Sequence, residues 1–377
     1  MQIDRFLLAI TSLVLLVSTI YFGCGSDSGP EIPDLSTEPL PQFELIRFEQ
    51  ELFELDTLQL ASAVQALEAK YPGFTDVFFR FVIPLRRGDF SPEEQIEVLK
   101  AFLRYPLIRE IYQQASEQYP NLPDELGRVD FRRSERSTSS ASDTNGSDEW
   151  PALANALRNY AYYLPQADLP DTVTTYISQF EYAGFLYGDN DLAIGLDLFI
   201  GPEFNYRSVS VDEVIFSDYL TRTYNADHLL TSAIRLLAEE DVPPPRAGRL
   251  IDHIINNGKR LYLLDRVLPE TPDSVFLRMT PQQISWCETH ETEIYTWLAR
   301  EDLLYTTDQR DIRRYVEPAP TSRGMPEESP GEAANWLGWK IVETYMRRFD
   351  DKDFEDLLGV EDGQTILARS GYKPPRR

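Results

Sequence analysis

Apolar residues recur at helical spacing over most of the chain, and three short signals mark where helices begin. Ser91, Thr280 and Ser329 are each followed by proline and, three residues later, by Glu or Gln. This is a capping box with proline at the first helical position, in which the hydroxyl accepts a free backbone N–H of the first turn. The spacing therefore predicts an amphipathic helix after each of these residues.

Strand-like patterns are confined to two regions. The stretch FELIRFEQELFEL (43–55) alternates briefly and then becomes helical. TVTTYISQF, EYAGFLY and LAIGLDLFIG are rich in β-branched and aromatic residues, and the turn-forming residues Gly-Asp-Asn-Asp (188–191) separate the last two. We expect an α+β fold, a predominantly helical single domain with a small antiparallel sheet.

The amino-terminal apolar run FLLAITSLVLLVSTIYFG (6–23) ends at Gly23-Cys24 and is followed by GSDSGPEIPDLSTEPLPQ. A lipoprotein signal, a transmembrane anchor and an ordinary secretory signal all fit the run. Lipidation of Cys24 is favoured, because a small residue precedes the cysteine and a polar Pro/Ser/Gly segment follows it. Tyr21 and Phe22 are bulkier than the residues usually found there. The sequence thus predicts an exported protein that reaches the membrane through a lipid on Cys24.

The same features divide the chain. We expect a lipoprotein signal peptide over 1–23, a flexible tether over 24–42 and one folded domain over 43–377. The low-complexity run RRSERSTSSASDTNGSDE (132–149) is expected to interrupt that domain as a surface loop.

Charge narrows the classes of partner. The chain has 62 acidic residues against 36 basic ones, a net charge of −26, and only six of the basic residues are lysines. No basic cluster is available to neutralise phosphates, so nucleic-acid binding is not expected. A salt-adapted surface and a merely acidic protein are the two interpretations of the excess acid.

Catalytic and cofactor motifs are absent from the sequence. The three histidines, His228, His253 and His290, begin no HExxH motif, and no Walker loop, GxSxG or GxGxxG is present. Cys287 lies in a helical pattern, where a small buried hydrophobic residue is favoured over a reactive thiol. We therefore expect no enzyme, no metal site and no cofactor.

One order of elements nevertheless resembles zinc peptidases of the gluzincin type. A strand is followed by the helix ADHLLTSAIRLLAEE and then by the helix RLIDHIINNGKRLYLLD. Asp227-His228 and Asn257-Gly258 would occupy the ligand positions without supplying the ligands. A degenerate zincin-like arrangement, an envelope metallopeptidase and two ordinary amphipathic helices are the alternatives.

The chain as a whole resembles the gliding motility-associated lipoprotein family GldB of the Bacteroidetes and their relatives. The resemblance runs in consistent order from Phe43 to Pro374, and its carboxyl-terminal part is the closest. It is carried by RFEQELFELD, YAYYLPQADLPDTVTTYISQF, AIGLDLFIG, IINNGKRLYLLDRVLP, MTPQQISWCETHETEIYTWL, LLYTTD, SPGEAANWLGWKIVETYM and SGYKP. The run 132–149 and Asn257, where an acidic residue is common, depart from the family pattern.

The resemblance implies a non-enzymatic envelope lipoprotein that gliding motility requires. Its implied partners are other gliding or secretion machinery proteins, and the periplasmic face is favoured over the cell surface because only one acid, Asp27, closely follows Cys24.

The resemblance is concentrated in 257–269 and in the helix after Ser329, where we expect the partner-docking surface. Gly338 in that helix is expected to allow a close approach of another helix.

Overall fold

The computed structural model describes residues 33–85, 90–120, 149–209, 216–300, 302–326 and 328–375. Across these ranges, no helix combines the length and the apolar character that crossing a membrane requires. Cys24 and the apolar run 6–23 lie outside them, as does most of the low-complexity run 132–149. From Asp34 onward, the described residues form one compact unit.

Most of the described chain is helical. The helices are α1 (Phe48–Phe53), α2 (Leu60–Lys70), α3 (Pro72–Val77), α4 (Pro92–Arg104), α5 (Pro106–Gln118), α6 (Glu149–Tyr163), α7 (Asp218–Thr221), α8 (Leu229–Asp241), α9 (Leu250–Val267), α10 (Asp273–Phe276), α11 (Pro281–Thr289), α12 (Glu291–Arg300), α13 (Gln309–Val316), α14 (Ala333–Arg348), α15 (Phe354–Leu358) and α16 (Gly363–Ser370). A π-helical turn, Phe78–Val82, follows α3, and short 3₁₀ turns join several other elements.

The strands are β1 (Glu44–Arg47), β2 (Thr172–Tyr176), β3 (Gly184–Tyr187) and β4 (Asp191–Gly195), and they form one sheet in the order β1-β2-β4-β3. β1 pairs with β2 in parallel, and β2 pairs with β4 in parallel. Only the β3–β4 hairpin is antiparallel, with Gly188 in the left-handed region at its turn.

The expectation of an α+β, mostly helical domain is confirmed, but the sheet is mixed rather than antiparallel. The turn residues at 188–191 identify the hairpin, whereas nothing local indicates that β1 lies beside β2. β2 is buried along nearly its whole length, because strands cover both of its edges and apolar side chains pack on its faces.

Two of the three predicted capping boxes are confirmed. Ser91 and Thr280 each accept the backbone N–H three residues on, and the Glu or Gln there accepts the N–H of the cap residue. The prediction at Ser329 is wrong. There α14 begins at Ala333 after Glu332, whose φ is 60°, because Pro330 is held in a β-bridge with Thr321 and Ser329 is buried.

The centre of the core is the crossing of α9 and α14. The predicted close approach at Gly338 is confirmed, since a Cβ added there would lie 2.1 Å from the carbonyl oxygen of Ile254. A Cβ on Gly258 would lie 2.4 Å from the carbonyl carbon of Gly338. The two helices therefore touch backbone to backbone, and most of the side chains around the crossing are buried.

The same packing contradicts the expectation that the surroundings of Lys259 form a docking surface. Lys259 is only 5% exposed, and its Nζ donates to the carbonyl oxygen of Val360 at 2.8 Å. Burial lowers the pKa of Lys259 to about 8. Trp336 and Trp339 on α14 are likewise buried. The segments that carry the resemblance most strongly are therefore largely buried core helices, which expose only a minority of their side chains.

A buried carboxyl group stabilises the turn after β2. Asp197 has no exposed surface and accepts the N–H groups of Ser178, at 3.1 Å, and Phe180, at 2.6 Å. Gln179 and Phe180 have φ angles of 65° and 67°, in the left-handed region, so these hydrogen bonds help to stabilise a strained turn. Burial raises the pKa of Asp197 to about 6, although the hydrogen bonds oppose the shift.

We expect Asp197 to make stability pH-dependent. Between the unfolded pKa of about 4 and the native value the folded state holds more protons, so stability falls as pH rises through this window. The free energy of unfolding of the wild type should fall by about 2–3 kcal/mol relative to Asp197→Asn between about pH 4 and pH 7. Urea unfolding across this range, with Asp227→Asn at an exposed position as control, measures it. A difference that does not change with pH would contradict the assignment.

Candidate functional site

The predictions for the two cysteines, Cys24 and Cys287, have different outcomes. Cys24 lies outside the described residues, so its lipidation stays a prediction. Cys287 is fully buried in α11, and burial raises the pKa of its thiol to about 12. The interpretation of Cys287 as a small buried hydrophobic residue is confirmed.

The two positions that resembled a zinc site each lie close to Arg235 and Arg278. His228 is half-buried just before α8, and its pKa falls to about 4, first through burial and then through the charges of Arg278, Arg222 and Arg235. Asn257 on α9 donates from Nδ2 to Oδ1 of Asn335 at 2.9 Å. Within the described ranges, no three His, Cys, Asp or Glu side chains are grouped so as to hold a metal ion. The metallopeptidase alternative gains no support from these residues.

Arginines converge in this region instead. Two adjoining cavities, of about 160 and 200 Å³, share the side chains of Arg278, Pro318 and Glu332. Arg235 lines the first cavity and Arg222 lines the second. We name the pair the arginine cavity, defined by Arg222, Arg235, Arg278 and Glu332.

The arginine cavity is built around the turn between α10 and α11. Arg235, on α8, donates from Nη2 to the carbonyl oxygen of Phe276 at 2.6 Å. Arg222, just after α7, donates from Nη2 to the carbonyl oxygen of Arg278 at 2.7 Å. Arg278 itself has a φ of 54°, in the left-handed region. Two guanidinium groups thus hold the start and the middle of the turn that presents the third.

Positive charge exceeds negative charge in these walls. Arg260 and Glu239 also line the first cavity, which gives four arginines and two glutamates in total. Burial and the neighbouring charge of Arg278 lower the pKa of Arg235 to about 9. Burial raises the pKa of Glu332, while Arg235 and Arg278 act against that rise. The surplus is local, since the whole chain carries −26.

Sequence reasoning did not find this site. Arg222, Arg235 and Arg278 come from three separate segments, and each one looks like an ordinary solvated cation in its own segment. Asn257, one of the positions that resembled a zinc site, does line the first cavity. An arginine in the otherwise apolar pattern around Ile234 was the one local signal available.

One comparison with known proteins gave a match. A family model described as "Gliding motility protein GldB" matches residues 28–129 and 135–374. Searches of curated proteins and of solved structures found no match. The matched ranges include the whole arginine cavity and begin after Cys24, and the gap at 130–134 overlaps the start of the low-complexity run 132–149.

Proposed function

Because the chain belongs to the GldB family of gliding motility proteins, we propose that it is a membrane-anchored lipoprotein that bacterial gliding requires. Family membership implies a role related to gliding motility and an association with the cell envelope. The single observation that carries the proposal is the family match, which covers most of the chain in order. The finer role proposed is non-enzymatic support of the gliding and secretion machinery.

The proposed anchor is a lipid on Cys24, which signal processing would make the first residue of the mature protein. Each buried methylene contributes about 0.8 kcal/mol to membrane binding, so several acyl chains on one residue hold far more firmly than a single chain. The residues up to Gln42 would act as a tether, and the folded domain over 43–377 would carry the function in gliding. The periplasmic face is favoured, since Asp27 alone supplies early negative charge after Cys24.

The experiment that tests this function is deletion of the gene, with two separate readouts. Imaging of single cells should show loss of gliding, and an assay of surface adhesin export should show whether secretion fails as well. A plasmid copy of the full chain should restore whatever is lost. Deletion cells that glide at the speed of the parent would contradict the proposal.

The low-complexity run is expected to be dispensable. Its composition has few residues able to bury apolar surface, so ordering it against a partner would cost conformational entropy. Deleting Ser134–Gly146 should therefore leave gliding speed close to that of the wild type. The comparison is made at equal protein level, measured by immunoblot. Loss of gliding by this variant at normal level would show that the run itself carries function.

A further inference from the structure

The arginine cavity has the features of a ligand site, and the inference drawn from it goes beyond the proposed gliding role. We propose that it binds a small organic carboxylate, with the carboxylate group between Arg222, Arg235 and Arg278 and an apolar remainder in the second cavity. Nothing in this proposal requires the protein to be lipid-anchored or motility-related. Its test uses binding alone.

Unpartnered donors support an acceptor ligand. The Nε of Arg235, the hydroxyl of Tyr219 and the Nε1 of Trp336 are buried and have no hydrogen-bond partner among the described residues. Trp336 is only 1% exposed and lines the first cavity, and Tyr219 lines the second. Buried polar groups in native proteins are nearly always paired, because an unpaired one costs about 1–3 kcal/mol. Two of these groups can only donate, so the chemistry that satisfies them is an acceptor.

The positive charge of the three arginines is not balanced by ion pairs within the described ranges, so we expect the acceptor to be an anion. None of the three defining arginines forms an ion pair with a carboxylate in the described part of the chain. Glu332, the acid that lines both cavities, is half-buried and accepts from Nδ2 of Asn335 at 3.1 Å. The lowered pKa of Arg235 expresses the same deficit, since burial and a neighbouring cation both oppose its charge. A bound anion would relieve that opposition.

The second cavity favours carboxylate over phosphate. Its wall includes Leu198, Phe199 and Leu220 beside Arg222 and Arg278. An organic acid can place its planar group on the guanidinium forks and its hydrocarbon on these side chains, whereas inorganic phosphate cannot use the apolar wall. The volumes suit an acid of a few carbon atoms. Glu239 is exposed and lines the first cavity, so the mouth reaches the surface.

Calorimetric titration of the full folded chain with 4-methylpentanoate tests the proposal. The matched neutral ligand is 4-methylpentanamide, which has the same shape without the charge, and inorganic phosphate is the third probe. We expect saturable binding of the carboxylate, at least tenfold weaker binding of the amide, and phosphate weaker than the carboxylate. Equal binding of acid and amide, tighter binding of phosphate, or no binding by the carboxylate would each overturn the assignment.

Variants with opposite expected signs separate binding from folding. Arg235→Met should weaken carboxylate binding at least tenfold, because a charged hydrogen-bond donor is lost. Glu332→Gln should strengthen it several-fold, because a negative charge leaves the wall while the amide oxygen can still accept from Asn335. Arg310→Gln, at an exposed position on α13, is the matched control and should change nothing. If Arg235→Met fails to unfold cooperatively, Glu332→Gln decides alone, and unchanged or weaker binding by it contradicts the proposal.

Discussion

Replacing Gly338 by alanine is expected to lower the free energy of unfolding by about 3 kcal/mol or more, toward the upper end of overpacking effects in cores. The new methyl group would lie 2.1 Å from the carbonyl oxygen of Ile254 and 2.9 Å from its Cγ2, so α9 and α14 would have to separate. Both helices are packed on several sides, and moving either one opens gaps elsewhere. Urea unfolding of the purified protein measures the loss.

Whether Gly338→Ala destabilises or stabilises the protein is informative, because helix propensity alone predicts that it stabilises. Alanine in a helix interior is more favourable than glycine by about 1 kcal/mol. Gly248→Ala, at an exposed position before α9, is the control for the substitution itself, since a Cβ there meets nothing within 4 Å, and we expect its effect to stay within about 0.5 kcal/mol. Stabilisation by Gly338→Ala would show that the two helices do not cross as closely as described.

Replacing Cys24 by alanine is expected to abolish acylation completely. The chain has only two cysteines, so no other thiol can take the lipid once the buried Cys287 is set aside. The variant should remain an unprocessed precursor that still carries residues 1–23, because lipoprotein processing depends on the modified cysteine. Labelling of cells with radioactive palmitate, followed by electrophoresis, measures both effects.

Cys287→Ala is the control for this experiment. It removes a thiol as well, but from a fully buried site in α11, so labelling and processing should match the wild type even if stability falls somewhat. Palmitate labelling of Cys24→Ala at the wild-type level would contradict the proposed anchor.

The sequence predicted those parts of the fold that depend on local chemistry. The capping boxes at Ser91 and Thr280 and the hairpin turn at 188–191 are formed by neighbouring residues, so their patterns were sufficient. Gly338, in the helix after Ser329, likewise predicted the close approach of a second helix.

Features that depend on distant residues were missed. The pairing of β1 with β2 has no local signature, and the capping box at Ser329 lost to the β-bridge between Thr321 and Pro330. The arginine cavity is assembled from segments that meet only in the folded chain. The family resemblance in 257–269 led to the expectation of a docking surface there. Lys259 is buried, however, and sequence similarity in a buried helix reflects packing constraints.

Rescue of gliding in a deletion strain by two exported forms of the domain over 43–377 tests the central claim most directly. One form carries an unrelated lipoprotein signal with its own acylated cysteine, and the other carries a cleavable signal without a lipid. Gliding speed of single cells is measured at equal amounts of exported protein. We expect the re-anchored domain to restore gliding and the unanchored domain to fail. Equal rescue by both forms, or none by the re-anchored form when it is folded and exported, would contradict the account of an anchored domain required for gliding.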